Sequence, residues 1–324
     1  MNEVRIMEEQ WAHLIILDAC RFDYFEQVWT KHLTGELSKR LSVGTCTVHW
    51  RDESFPDRYD DIIYISSNPY INSVMPIKGF LGSDHFHKVY DVWKTGWDEE
   101  RGTVPPEPVT EAAIKALMAH QDKRIIVHYL QPHAPYLSLD MKGGGFPVPD
   151  LTTGRVLTGL RTGVKSGAKH VILRMLTPIA YKTRLLGNNP VMKLREFLRM
   201  GPASPLDAAR RMYGDSGLRK AYRANLELVL EHVSTLIRYM SGRIIVTSDH
   251  GEMLGEDGRY SHLGSSTHPC LTEIPWLIID RPESGLTARQ EPDQHAEPQE
   301  ETAESGEGDE AKIRDRLRGL GYTD

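Results

Sequence analysis

Cysteine is scarce: Cys20, Cys46 and Cys270 are the only three in 324 residues. They are too few and too scattered for a disulfide framework, and no Cys-x-x-Cys pair points to a zinc knuckle. A reducing compartment fits this usage, with Cys20 and Cys270 expected to be buried as small apolar groups. No apolar run reaches the ~18–20 residues that a membrane-spanning helix needs. The stretch Met1-Asn2-Glu3-Val4-Arg5-Ile6 lacks the basic start and apolar core of a secretory leader. The expectation is a cytoplasmic protein, peripheral to a membrane at most. No internal repeat is visible, which removes solenoids and propellers.

What is present is a chain with 40% hydrophobic residues, enough to bury one large α/β core. The formal net charge of -6 hides an asymmetry. From Arg155 to Arg223 there are 15 Lys/Arg against 3 Asp/Glu, a balance of +12. From Arg281 to Ala311 there are 10 Asp/Glu against 2 Lys/Arg, a balance of -8. The two segments cannot play the same physical role.

Five short apolar runs read as buried strands: His13–Leu17, Ile62–Ile65, Arg124–Leu130, Arg243–Thr247 and Trp276–Ile279. Four of them open into polar residues: Asp18, then Ser66-Ser67-Asn68-Pro69, then Gln131-Pro132-His133, then Ser248-Asp249-His250. Between them, Val109 to His120 and Leu218 to Met240 carry apolar residues at three- and four-residue spacing, the signature of amphipathic helices. The alternation predicts an α/β fold with a doubly wound, mostly parallel sheet and helices on both faces. Ligands of such sheets sit beyond the carboxyl ends of the strands, where these polar residues fall. The expected organisation is a catalytic domain over residues 1–280 with a basic helical insertion or lid at 151–217. An acidic disordered tail is expected at 281–311, too poor in apolar residues to offset the entropy of ordering, and a short helix at 312–324.

The chemistry concentrates in Ser248-Asp249-His250-Gly251-Glu252, because Asp and His together at a sheet edge make a ready pair of metal ligands. Gly251 then allows a close approach of backbone. Asp18 ends the first strand and offers a second carboxylate; alone it would be an ordinary helix N-cap. Gly44-Thr45-Cys46-Thr47 adds hydroxyls and a thiol, and a hydroxyl held on a divalent metal loses its proton more readily.

In this order, a first-strand Asp, a hydroxyl or thiol some thirty residues on, a middle His133-Ala134-Pro135 and a late Ser-Asp-His-Gly-Glu, the chain resembles the alkaline phosphatase superfamily. The sulfatase-like branch is the most similar, and the resemblance runs from Leu14 to about Ile279, including Ala221-Tyr222-Arg223-Ala224-Asn225-Leu226. It implies that Asp18, Thr47, Asp249 and His250 hold a divalent cation (Zn, Mn or Ca), that His133 and His262 face the ester, and that Arg21 contacts a substrate oxygen. It also implies hydrolysis or transfer of sulfate or phosphate esters through a covalent intermediate.

Two departures from the family pattern shape the expectation. Cys46 is followed by Thr47-Val48-His49-Trp50, without the Pro or Ala and the Arg of a formylglycine motif, which favours unmodified Thr47 as nucleophile; Thr45 and Cys46 stay open. The Asp-x-x-x-His pair of two-metal members has no counterpart near His133, so one firmly held ion is expected. His128, His133, His262 and His268 are the imidazoles available for a second, weaker site.

The basic segment is expected to attract an anionic small-molecule, glycan or lipid-headgroup ester. Val171–Leu176 and Val191–Arg199 look amphipathic and suit peripheral contact with an anionic membrane. A solvated helical cover balanced by the acidic tail is the plainer alternative. No nucleic-acid module accompanies the charge, so no nucleic-acid partner is expected. The competing functional class is a non-catalytic binding module that keeps the sulfatase-like fold.

Overall fold

The computed structural model describes residues 3–139, 189–262, 266–282 and 307–319, with short stretches at 148–150 and 155–157 and helical residues at 169, 172–173 and 175–178. Its centre is an eight-stranded sheet in the order β1-β3-β12-β9-β2-β6-β4-β5. The five expected strands are β2 (His13–Leu17), β4 (Tyr59–Ser66), β6 (Arg124–Tyr129), β9 (Gly242–Thr247) and β12 (Glu273–Arg281). Three more complete the sheet: β1 (Glu3–Val4), β3 (Glu36–Ser42) and β5 (Phe86–Asp91). β2, β4, β5, β6 and β9 run parallel, and β12 is antiparallel to both of its neighbours.

Strict alternation fills both faces. Ile15, Leu17, Ile63, Ile65, Ile125, Val127, Ile244 and Val246 belong to one apolar cluster, while Leu14, Ile16, Ile62, Tyr64, Ile126 and Ile245 belong to the other. Because the pleat repeats every two residues, continuous apolar runs are what a sheet buried on both sides requires. The first face packs against α1 (Phe22–Val28), α5 (Pro106–Ala119) and α7 (Pro205–Leu236). The second takes Trp50 of α2 (Thr47–Ser54), together with Phe55, Trp11 and Phe80. The helices α3 (Gly82–His85) and α4 (Val92–Thr95) are single turns, and α6 (Pro190–Phe197) precedes α7. α7 begins earlier than its apolar periodicity indicates and is broken at Gly214, whose φ of 67° lies in the left-handed region.

Short pairs β7 (Val148–Asp150) with β8 (Arg155–Leu157), and β10 (Met253–Leu254) with β11 (Tyr260–Ser261), lie outside the main sheet. Of the insertion expected at 151–217, most of residues 151–188 lies outside the described residues, as does most of the acidic tail. The described parts of the insertion are β8, helical residues between 169 and 178, α6 and the start of α7.

The C-terminal helix starts within the stretch assigned to the tail. α8 (Pro269–Thr272) leads into β12, and α9 spans Glu307–Gly319 rather than beginning near residue 312. Asp309 pairs with Lys94 at 3.1 Å, and an acidic first turn also suits the positive end of the helix. Ile313 and Leu317, four residues apart, are buried in the core beneath α4 and α5. The Arg316 guanidinium lies 5.5 Å from the Trp93 ring and 5.1 Å from the Trp97 ring, and donates to the Trp93 carbonyl.

α9 is thus part of the core. Ile313→Ala should cost about 2–4 kcal/mol, the usual range for truncating a fully buried aliphatic side chain. Urea unfolding measures it, and an unchanged midpoint would mean that α9 contributes nothing to the fold.

Candidate metal centre

The carboxyl ends of β2, β9, β6 and β4 bring Asp18, Asp249, His128 and Asn68 into one buried volume. The loops leaving β2 and β9 are knotted together. Ala19 N–H and His250 N–H both donate to Asp249 Oδ1, at 3.0 and 2.9 Å. Ser248 Oγ accepts from Cys20 N–H at 2.7 Å and lies 2.6 Å from the carbonyls of both Leu17 and His250. Gly251 is required here by close approach: a Cβ would stand 2.0 Å from the Cys270 carbonyl oxygen.

With Oδ1 taken by backbone, Asp249 Oδ2 turns to the nucleophile candidate. Thr47 Oγ1 donates to it at 2.8 Å and lies 3.4 Å from His250 Nε2. Thr47 is fully buried as the first residue of α2, while Thr45 and Cys46 are partly exposed and Cys46 stands at the N-cap. The helix opens at Thr47, so its positive end begins at the residue that carries this hydroxyl. Gly44 lets this turn close, since a Cβ there would meet Trp50 N at 2.4 Å.

His250 Nδ1 lies 2.8 Å from the Gly251 carbonyl, which can only accept, so Nδ1 carries the proton. The Nε2 lone pair then faces Asp249 Oδ2 at 3.3 Å and Asp18 Oδ1 at 3.9 Å. Donors around one tetrahedral ion with ~2.1 Å bonds stand ~3.4 Å apart; the His250 separations from Asp249 and Thr47 are of that order and that from Asp18 is longer, so these four residues could hold one divalent cation. Burial by itself raises the Asp18 pKa, but the surrounding imidazoles of His128, His133 and His250 outweigh it and hold this carboxyl below the ordinary range. Asn68 Nδ2 donates to Asp18 Oδ2 at 2.7 Å and lies 3.5 Å from Thr47 Oγ1, a contact not anticipated from the turn-like Ser66-Ser67-Asn68-Pro69.

A second buried group adjoins the first. His262 Nδ1 lies 3.2 Å from Glu252 Oε1 and His133 Nε2 lies 3.9 Å from Glu252 Oε2, with one donor atom of each of the three within 4.8 Å of the others. The His250 and His262 ring centroids are 4.4 Å apart, so the two groups share a wall. Burial pushes the Glu252 carboxyl up to about 7 and lowers both His133 and His262. His133 and His262 are therefore brought together, and Glu252 is the member that the sequence reading missed. His268 is not in the group: its Nδ1 accepts from Cys270 N–H and its Nε2 lies 3.7 Å from Asp257.

Arg21 departs from expectation. Its guanidinium meets both oxygens of Asp23 at 2.9 and 2.7 Å, Glu256 at 2.7 Å and the Glu252 carbonyl at 3.2 Å. These bonds tie α1 to the loop carrying Glu252, so the guanidinium is engaged by Asp23, Glu256 and the Glu252 carbonyl. The motif Ala221-Tyr222-Arg223-Ala224-Asn225 has a similar use. The Tyr222 hydroxyl donates to the Ala19 carbonyl and accepts from Arg21 N–H, while Asn225 Nδ2 reaches the Pro135 carbonyl at 3.0 Å and its Oδ1 accepts from Leu137 N–H at 2.7 Å. One helix thus holds both loops.

Asp18→Ala and Asp249→Ala each delete a charged donor from this set and should both lose stoichiometric divalent metal in elemental analysis of the purified protein. Full metal occupancy in both variants would overturn the shared site.

Neither a protein-family model nor a curated protein matches the sequence. Among solved structures the chain is similar to the soluble domain of lipooligosaccharide phosphoethanolamine transferase A from Neisseria meningitidis, at 14% identity and TM-score 0.47, over 82% of this chain and 75% of that one. It is similar to the C-terminal periplasmic domain of EcEptC from Escherichia coli in complex with zinc, at 11% identity and TM-score 0.47, over 83% and 74% of the two chains. It is also similar to a phosphonate monoester hydrolase from Silicibacter pomeroyi, at 15% identity and TM-score 0.41, over 84% and 68%. Each of these likenesses is one of fold.

Proposed function

We propose that this chain is a metal-dependent enzyme that hydrolyses or transfers sulfate or phosphate esters through a covalent adduct on Thr47. The observation that carries the reading is the Thr47 hydroxyl, buried at a helix N-terminus and 2.8 Å from Asp249 within a set of metal donors. Its support from sequence is the order Asp18, Thr47, His133, Asp249-His250, which resembles the sulfatase-like branch of the alkaline phosphatase superfamily.

A divalent cation bound by Asp18, Thr47, Asp249 and His250 would lower the pKa of the Thr47 hydroxyl and neutralise charge on the ester oxygens. Thr47 Oγ1 attacks the phosphorus or sulfur, the bond to the alcohol oxygen breaks, and that oxygen takes a proton as it leaves. Water or an alcohol then attacks the adduct and returns Thr47 Oγ1 to its resting state. His133 and His262, held beside Glu252, are placed to contact the ester oxygens and to exchange protons with the leaving or entering oxygen. A purely non-catalytic module has less to recommend it, because concentrating so many ionisable groups in one dry volume costs stability without a compensating use.

The substrate class proposed is an anionic ester presented at a lipid surface. Eight large apolar side chains are exposed among the described residues, and six of them, Ile172, Met175, Leu176, Phe197, Met212 and Tyr213, fall in the basic segment. Ile172, Met175 and Leu176 have the spacing of one helical face. Lys193, Arg199, Arg219 and Lys220 are exposed beside Phe197 and Met212 in sequence, the combination that binds anionic bilayers in plane. No helix among the described residues is long and apolar enough to cross a membrane.

Thr47→Ala should lower turnover of aryl phosphate or sulfate substrates at least about 10³-fold, while Cys46→Ala and Thr45→Ala stay partly active. Mass spectrometry of the protein quenched during turnover should locate the adduct on the peptide containing Thr47. An adduct on Cys46, or an aldehyde in its place, would replace this mechanism with a formylglycine one. For the surface, the full chain should sediment with phosphatidylglycerol vesicles and not with phosphatidylcholine vesicles, less so at high salt. Equal partition to both would remove the lipid assignment.

A further inference from the structure

At the carboxyl edge of the sheet, one buried imidazole is left over by the two donor groups. His128 is fully buried near the end of β6, with its ring against the edge of Trp50. Its Nδ1 lies 2.8 Å from the Tyr64 hydroxyl. Its Nε2 has no hydrogen-bond partner, although a buried ring nitrogen is costly to leave unsatisfied.

That nitrogen lies 3.6 Å from Asp18 Oδ2. The separation is too long for a hydrogen bond. It is of the order of two donors on one cation, which with ~2.1 Å bonds stand ~3.0 Å apart at a right angle, ~3.4 Å at the tetrahedral angle and ~3.6 Å at ~120°. The neighbouring pairs repeat it, with His250 Nε2 at 3.3 Å from Asp249 Oδ2 and 3.4 Å from Thr47 Oγ1. One donor atom each from Asp18, His128 and Asp249 lie within 4.8 Å of one another.

We propose that His128 Nε2 binds the same divalent cation as Asp18, Asp249 and His250. The inference rests on the metal centre of the proposed function and adds a ligand that the sequence reading assigned, if anywhere, to a second site. The tautomer follows: Nδ1–H donates to the Tyr64 hydroxyl oxygen, leaving the Nε2 lone pair toward the two carboxylates. Fixing a ligating ring through its other nitrogen is the usual way proteins orient such a histidine. Tyr64 sits on the adjacent strand, with Ile126 as its register partner, so strand pairing itself sets the ring.

The consequence is selectivity. Two imidazoles, two carboxylates and one hydroxyl make a mixed nitrogen and oxygen set, which suits Zn²⁺ or Mn²⁺, whereas Ca²⁺ takes six to eight oxygens. A sulfatase-like site without the second imidazole would be more accommodating to calcium.

The test counts nitrogens. In a His133→Gln/His262→Gln chain, which removes the adjoining imidazoles, one equivalent of Mn²⁺ should show pulsed-EPR couplings from two histidines, His128 and His250. Coupling from one would overturn the assignment and make His128 a bridge between Tyr64 and Asp18. This reading keeps His128 in place, so it does not depend on a His128 variant folding. Separately, His128→Gln should raise the Zn²⁺ dissociation constant at least about tenfold by calorimetry, and wild-type affinity would also overturn it. Failure of the wild-type chain to bind any divalent metal would instead sink the parent reading, so the two failures are distinguishable.

Discussion

The Asp249 carboxylate is the joint on which the rest of the site depends. One oxygen is saturated by backbone N–H groups from two different strand ends, Ala19 and His250, and the other is left to Thr47 and the His250 ring. A carboxylate held in this way cannot rotate away from the Thr47 hydroxyl without releasing two buried donors, each of which would be left without a partner. The ladder between β2 and β9 fixes the strand ends that carry Asp18 and Asp249, and the hydrogen bond from Thr47 to Asp249 brings the hydroxyl to them.

Everything around this joint resists movement. Tyr222 and Asn225, three residues apart and so on one face of α7, bond the loops after β2 and β6. Arg51, buried in α2, donates to the carbonyls of Tyr70 and Ile77 and so ties the helix bearing Thr47 to the loop bearing Asn68. Buried polar networks are stabilising only when their members are satisfied. Asp18, Asp249 and Glu252 lie close together out of water, and neighbouring imidazoles relieve only part of that repulsion. Glu252 shows the strain most plainly, since burial lifts its carboxyl to about 7. A bound cation would complete the balance for the Asp18 and Asp249 pair, which gives metal binding and folding a common energetic origin.

The periphery divides by charge. The described parts of the basic segment pack through α6 and α7, where Glu196 and Asp207 engage Arg210 and Arg211. That leaves Lys193, Arg199 and Lys220 exposed beside unburied apolar groups. The acidic stretch ends in a helix whose Ile313 and Leu317 fill the core, so its last residues serve stability while the basic segment offers a surface.

The sequence by itself determined the parallel sheet and the four strand ends that carry the chemistry. A strand buried on both faces reads as a near-continuous apolar run, and His13–Leu17, Ile62–Ile65, Arg124–Leu130 and Arg243–Thr247 are built in this way. It also pointed to Asp18, Asp249 and His250 at the strand ends and, through the family resemblance, to Thr47 with Thr45 and Cys46 left open. It did not reveal β3, whose polar Glu36-Leu37-Ser38-Lys39-Arg40 is a strand only because β12 pairs with it in antiparallel register, nor β5, a short edge. Nor could it separate the histidines. His128 and His133 are five residues apart, yet the strand turns one toward Asp18 while two proline-containing turns carry the other to Glu252. Arg21 looked free for an anion until the fold brought Asp23 and Glu256 to it. Local pattern decides which residues reach the sheet edge; only long-range packing decides which atoms meet there, because those distances are set by strands far apart in the chain.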